Sequence, residues 1–297
     1  MPDDRPIIAV IGASGSQGGS VVRALVDGGA FRVRALTRHP DTYRGPADEV
    51  VEADLKRPET LEVAFAGAHG VFAVSNFWEP GSDEIAQGRN AVEAAKKAGV
   101  SHFVWSTLPD VERISGGEFE VAHFTSKAKV DALVRDAVFA SHTFVEAPFY
   151  FENLVTNMPP SPLPDGSLGW ALPLRVDARV VHARSIQDLG GVVAGAFDHP
   201  ELVGDGAYLS SAAALMSFAD MVDTLNAQGH SVTAIQVPAE VFATFFPGAE
   251  EMAQMMGYWQ RYTYLGPGGD EAIELARRVA TTSSTDFATW AARNMPA

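Results

Sequence analysis

Residues Ile7 to Ser20 read IIAVIGASGSQGGS, an apolar run that stops at Gly12 and is followed by Gly15 and Gly18 at three-residue intervals. A strand, a tight turn and the start of a helix fit this order. Glycine suits the turn for two reasons: it adopts backbone angles that other residues resist, and it leaves the first N–H groups of the helix open to a pyrophosphate. Gln17 to Val26 continues with helical spacing through Val21, Val22 and Leu25, and Phe31 to Leu36 is a second β-like run. Strand, glycine turn, helix and strand within about 30 residues make a βαβ unit. The spacing is G-x-x-G-x-x-G rather than the usual G-x-G-x-x-G, so its force comes from this context.

Strand-length apolar runs recur at Ile7 to Ile11, Val33 to Leu36, Val50 to Ala53, Val71 to Val74, Phe103 to Trp105 and Thr143 to Val145. Helix-period segments lie between most of them, at Gln17 to Val26, Pro58 to Phe65, Glu84 to Ala98 and Glu118 to Ala137. This alternation predicts an α/β fold, a doubly wound parallel Rossmann sheet occupying residues 1–150. Gly45 and Pro46 keep any helix between the second and third strands short. From Pro159 a proline cluster reads as a loop leaving the sheet. Residues 151–297 then mix short strands (Ala178 to His182, Ala207 to Ser210, Ser231 to Val237) with helices (Ser185 to Phe197, Ser217 to Gln228, Gly248 to Tyr262, Thr285 to Arg293). They are expected to form a smaller α/β lobe over the cofactor, with some segments packing back on the sheet. Met252, Met255, Met256 and Trp259 share one helical stripe and read as core of that lobe, with a substrate wall or subunit contact as the alternative.

Composition narrows the function. The 297 residues are 46% hydrophobic with 17 Phe, enough for a full α/β core. A net charge of −15, from 22 basic and 37 acidic residues, argues against direct binding to nucleic acid or anionic membranes. There is no cysteine, and the eight histidines form no metal-ligand pattern, so no metal site is expected. No apolar stretch reaches membrane-span length and MPDDRP lacks signal-peptide character, which makes a cytoplasmic location the expectation.

The second strand ends Ala35, Leu36, Thr37, Arg38. Arg38 offers a guanidinium to a ribose 2′-phosphate, Thr37 offers a hydroxyl, and no carboxylate competes there, which favours NADP(H) over NAD(H). Arg34 reads as a solvated strand residue. Asp54 and Leu55 follow the third strand, where a side chain meets the adenine; capping the next helix is the alternative for Asp54. Ser75, Asn76 and Phe77 follow the fourth strand and Ser106 and Thr107 the fifth, at the ligand edge of such sheets, although turn and cap roles suit them equally. His123 and Lys127 are four apart on one helix and border its apolar stripe.

With these residues in place, the chain resembles the NmrA-like family of atypical short-chain dehydrogenases. The resemblance rests on the glycine turn, Thr37-Arg38, Asn76-Phe77-Trp78-Glu79, His123-Phe124-x-x-Lys127 and the segment Pro148 to Leu154, PFYFENL. It implies an NADP(H)-binding domain in which Gly12, Ser14, Gly15, Ser16, Gln17 and Gly18 hold the pyrophosphate and Arg38 holds the 2′-phosphate. Asn76, Phe77, Tyr150, Phe151 and Asn153 would line the ribose and nicotinamide, and Lys127 would hydrogen-bond that ribose. Ser126 to Val130, SKAKV, is also similar to isoflavone-reductase-like enzymes, whose matching lysine handles a substrate proton.

Catalytic short-chain dehydrogenases use Tyr-x-x-x-Lys, and here His123 stands at the tyrosine position. Histidine titrates in the range a proton donor needs, yet the family's redox-sensor members also carry it. Two functions therefore stay open. One is an NADPH-dependent reductase of a small apolar carbonyl, enone or quinone, with His123 or Lys127 supplying the proton beside a pocket of Phe77, Trp78, Phe149 and Tyr150. The other is a non-catalytic NADP(H) sensor that regulates a protein partner; a homodimer is compatible with both. A nucleotide-sugar epimerase or dehydratase is disfavoured by His123.

Overall fold

Ile7–Ile11 forms strand β1, and alternation along it sorts side chains to two faces: Ile8 and Val10 enter one core, Ala9 and Ile11 another. The computed structural model describes residues 3–296. In chain order the first half holds β1, α1 (Ser16–Gly28), β2 (Arg32–Thr37), β3 (Glu49–Glu52), α2 (Pro58–Phe65), β4 (Gly70–Ala73), α3 (Glu84–Lys97), β5 (His102–Thr107), α4 (Val111–Ser115), α5 (Ala122–Asp136) and β6 (Ser141–Glu146). The second half adds β7 (Phe149–Tyr150), β8 (Ser161–Pro162), β9 (Leu168–Leu172), β10 (Val181–Arg184), α6 (Leu189–Asp198), α7 (Pro200–Val203), β11 (Asp205–Ser210), β12 (Ala214–Met216), α8 (Phe218–Ala227), β13 (Thr233–Gln236), α9 (Ala239–Phe242), α10 (Ala249–Tyr262), α11 (Gly269–Val279) and α12 (Phe287–Asn294).

Seven strands form one sheet in the order β11-β6-β5-β4-β1-β2-β3, with every neighbouring pair parallel. The order reverses between β1 and β4, which leaves a crevice at their C-terminal ends. One face is covered by α1, α6 and α11 through Val21, Leu25, Val193, Phe197 and Val279. The other is covered by α2, α3 and α5 through Leu61, Phe65, Ala91, Val130 and Val134. Two three-stranded sheets, β12-β10-β7 and β13-β9-β8, belong to the second half. They enclose a third core with Phe149, Phe151, Trp170, Met255, Met256, Trp259 and Trp290.

The structure departs from the sequence expectations in several places. The helix expected from Glu118 starts at Ala122: Gly116, in the left-handed conformation, ends the short helix α4, and Val121 at φ −129°, ψ 89° is still outside the helical region. Arg34 is not solvated: it is buried, its Nε donating to Glu49 Oε2 at 2.6 Å and its Nη1 to the carbonyls of Ala64 and Ala66 at 2.8 Å each. Those carbonyls lie at the end of α2, where a cation satisfies groups the helix leaves unpaired. Helix α11 was not anticipated. Its packed side is Gly269, Ala272, Ala276 and Val279 with Ile273 and Leu275 partly buried beside them, an amphipathic pattern that the sequence does carry between its charged residues.

Candidate functional site: a nucleotide groove at the strand-order reversal

The turn after β1 is built around two close approaches. Gly12 has φ +70°, and its carbonyl accepts from the N–H of Gly15 at 2.8 Å. A Cβ on Gly18 would lie 2.2 Å from that same carbonyl oxygen, so only glycine fits there. Helix α1 then begins at Ser16 with Gly15 as N-cap, no capping side chain and no acidic residue in its first turn. Its first N–H groups are left for an anion, with the positive end of the helix behind them.

A groove of about 420 Å³ opens above this turn. It gathers most of the expected cofactor residues: Gly12, Ser14, Gly15, Ser16, Gln17 and Gly18 from the turn, Thr37 and Arg38 from β2, Asp54 and Leu55 after β3, and Ser75 and Asn76 after β4. Ser14 and Thr37 hydroxyls face each other at 3.3 Å. Ser106 is buried beneath the groove and donates to Gln17 Oε1 at 2.7 Å, fixing that side chain from β5. Asp54 both lines the groove and caps its own turn, accepting from Lys56 N at 2.9 Å.

Contrary to the expectation that no carboxylate competes with Arg38, the loop after β4 supplies one. Glu79 Oε1 accepts from Arg38 Nη1 at 2.7 Å and from Lys56 Nζ at 3.0 Å, and all three side chains line the groove. The hydrogen bond from Lys56, with Arg38 adding to it, holds the Glu79 carboxyl below its usual range. Lys56 and Glu79 are separated from Arg38 in sequence, so no local motif joins them.

Lys127 lies behind the groove wall and is not part of its lining. Its Nζ donates to Ser75 O at 2.9 Å, Ser75 Oγ at 3.0 Å and Glu84 Oε1 at 2.6 Å, which uses all three ammonium protons. Glu84 also accepts from the Ser75 and Ser126 hydroxyls and is fully buried at the start of α3. Burial pushes the Lys127 ammonium down while Glu84 opposes that shift. Sequence reading missed Glu84, whose place among the polar residues opening α3 looks like an ordinary cap.

His123 sits at the beginning of α5 against Phe77 and Trp78, with ring centroids 5.8 and 5.1 Å away. Its partner comes from α10: Glu251 Oε1 lies 2.6 Å from Nδ1 and accepts the His123 backbone N–H at 3.0 Å. That hydrogen bond lowers the Glu251 carboxyl below its usual range. With Nδ1 engaged, Nε2 has no hydrogen-bond partner among the described residues. The expected four-residue aromatic pocket is not formed, because Phe149 turns into the core against Phe218 and Trp259. The Tyr150 hydroxyl is buried, Phe151 packs on Phe287 and Trp290, and Asn153 pairs with Asn157, so none of these three lines the groove. Glu152 between them ties β10 to α12 instead, accepting from Ser185 Oγ, Ile186 N and Trp290 Nε1.

A doubly wound parallel sheet with an open glycine turn at its strand-order reversal defines the Rossmann class of nucleotide-groove proteins. The chain belongs to the NmrA-like family, whose model matches residues 4–291. It is 32% identical over 240 residues to the NmrA-like oxidoreductase FrzB of a Cladobotryum species, covering 73% of this chain and 71% of that one. Its fold is that of NmrA, a negative transcriptional regulator crystallised with NADP, at TM-score 0.80 and 24% identity, covering 99% and 96% of the two chains. The Escherichia coli quinone oxidoreductase QOR2, crystallised with NADPH, superposes at TM-score 0.72 and 18% identity over 97% and 98%. Among the described residues no helix is long and apolar enough to cross a membrane.

Proposed function

We propose that the protein binds NADP(H) along the groove and is an NADPH-dependent reductase of a small, flat, mostly apolar carbonyl, enone or quinone compound. The observation that carries this reading is the pairing of an uncapped, glycine-lined helix start with the Arg38 and Lys56 cations at the far side of the same groove. The first suits a pyrophosphate and the second a ribose phosphate. The oxidoreductase name of FrzB and the NADPH complex of QOR2 agree with it.

When bound, NADPH supplies the hydride. The proton that completes reduction of the carbonyl oxygen comes from Nε2 of the His123 imidazolium, while Glu251 keeps accepting the Nδ1 proton and so holds the ring's orientation and leaves the Nδ1–H imidazole after the transfer. Solvent then restores the imidazole proton. Trp78, exposed beside His123 and set edge-to-face against Phe77, offers the ring face against which such a substrate lies. Lys127, with its protons shared between Ser75 and Glu84, acts as a buried anchor of the groove wall.

Following NADPH absorbance with a panel of quinones and enones tests the reading. Turnover that His123→Asn lowers at unchanged NADPH affinity supports it; no oxidation above background with any compound argues against it. The sequestration of Lys127 favours a second reading, a dinucleotide sensor acting on a protein partner. Partner affinity that differs with and without NADP(H), in the absence of turnover, would support that reading.

A further inference from the structure

Arg38, Lys56 and Glu79 come from three separate segments, the end of β2, the turn after β3 and the loop after β4, and they meet at one oxygen atom. Their side chains are 51%, 37% and 25% exposed. Ion pairs this open to water add little to folding, so stability does not account for the arrangement. Two cations converging on an anion from different loops is what a phosphate monoester requires, and Glu79 presents a single tethered charge in that slot.

We propose that Glu79 is a specificity-determining residue of the groove: its carboxylate holds the place of a ribose 2′-phosphate between Arg38 and Lys56, and a 2′-phosphorylated adenosine binds by exchanging with it. This rests on the reading that a dinucleotide of the NADP(H) type occupies the groove. A phosphate set beside an unmoved Glu79 would share the same two donors with a like charge, which costs affinity. An unphosphorylated ribose meets no such conflict. Its 2′-hydroxyl donates to carboxylates in NAD-selective sites, and Glu79 is available for that bond. The chain thus carries the cations suited to one nucleotide and the carboxylate suited to the other. Wild-type preference for NADP over NAD is weaker than Arg38 and Lys56 alone would give.

Calorimetry of the full chain with NADP⁺, NAD⁺, 2′,5′-ADP and 5′-ADP, for wild type and Glu79→Gln, tests this. The substitution keeps the size of the side chain and removes its charge. NADP⁺ and 2′,5′-ADP should bind roughly tenfold more tightly to the variant, while NAD⁺ and 5′-ADP bind no better. Glu79→Ala should move both pairs in the same directions. Weaker NADP⁺ binding in both variants would mean that Glu79 holds the cations in place, and equal shifts for NADP⁺ and NAD⁺ would mean that it does not read the phosphate; either overturns the proposal. Wild-type protein that binds none of the four overturns the groove reading as well, which separates the two failures.

Discussion

Glu251 Oε1 contacts His123 twice, at Nδ1 (2.6 Å) and at the backbone N–H (3.0 Å), so a helix of the second half both orients the imidazole and caps the start of α5. Val121, the N-cap, provides no side-chain bond of its own. One carboxylate thus does what a capping residue and a positioning residue would do separately.

Glu251→Ala should therefore lower kcat for NADPH oxidation by roughly tenfold to a hundredfold while the dinucleotide Kd stays unchanged. Glu251→Gln, which retains an acceptor oxygen, should recover part of the loss. Steady-state kinetics alongside calorimetry separates the two quantities, and a parallel fall in dinucleotide affinity would contradict the assignment.

Gly18→Ala forces a methyl group to within 2.2 Å of the Gly12 carbonyl oxygen, which is backbone and cannot move aside. The turn must rebuild. Loss of measurable NADP(H) binding is expected together with about 2 kcal/mol of destabilisation; urea unfolding and calorimetry read the two effects.

Removing one partner of the Lys127–Glu84 pair leaves a charge in the interior. Lys127→Met should cost about 3–5 kcal/mol in unfolding free energy, and adding Glu84→Gln should return much of it. A purely catalytic lysine would instead leave stability unchanged, so denaturant titration of the single and double variants decides between the roles.

Burial pushes the Glu146 carboxyl up to about 8, with Asp131 adding to the rise, and pushes Asp131 itself up to about 7. Both folded values exceed the ordinary ones of 4.5 and 3.8. Between the ordinary and the folded values these two groups bind more protons in the native state than in the unfolded chain, so their contribution to stability is full below the ordinary values and is lost as pH rises toward about 8. Glu146→Gln should flatten this decline and stabilise the protein by about 2 kcal/mol or more at alkaline pH. Unfolding curves at pH 5.5 and 8.5 check it.

The legibility of this chain follows the range of its interactions. The turn from Ile11 to Gly18 and the bounds of α2 at Pro58 and Phe65 depend on neighbours in sequence and could be read directly. So could most of the groove lining, because the fold delivers the end of each strand to the same edge. The carboxylates that complete the arrangement could not be read this way. Glu79 lies 41 residues from Arg38, Glu84 lies 43 from Lys127 and Glu251 lies 128 from His123. Each looks like an ordinary surface charge until the chain folds. Phe149 shows the opposite error: an aromatic beside a recognisable segment suggested a pocket wall, but the core claimed it.

The seventh strand, β11, lies against β6 but is made from residues Asp205–Ser210. During synthesis, the outer edge of β6 leaves the ribosome with its hydrogen-bonding groups unmatched and must wait for that later stretch to emerge. Shortened chains that end before Asp205 should therefore associate through this bare edge and precipitate instead of yielding an isolated nucleotide-binding half.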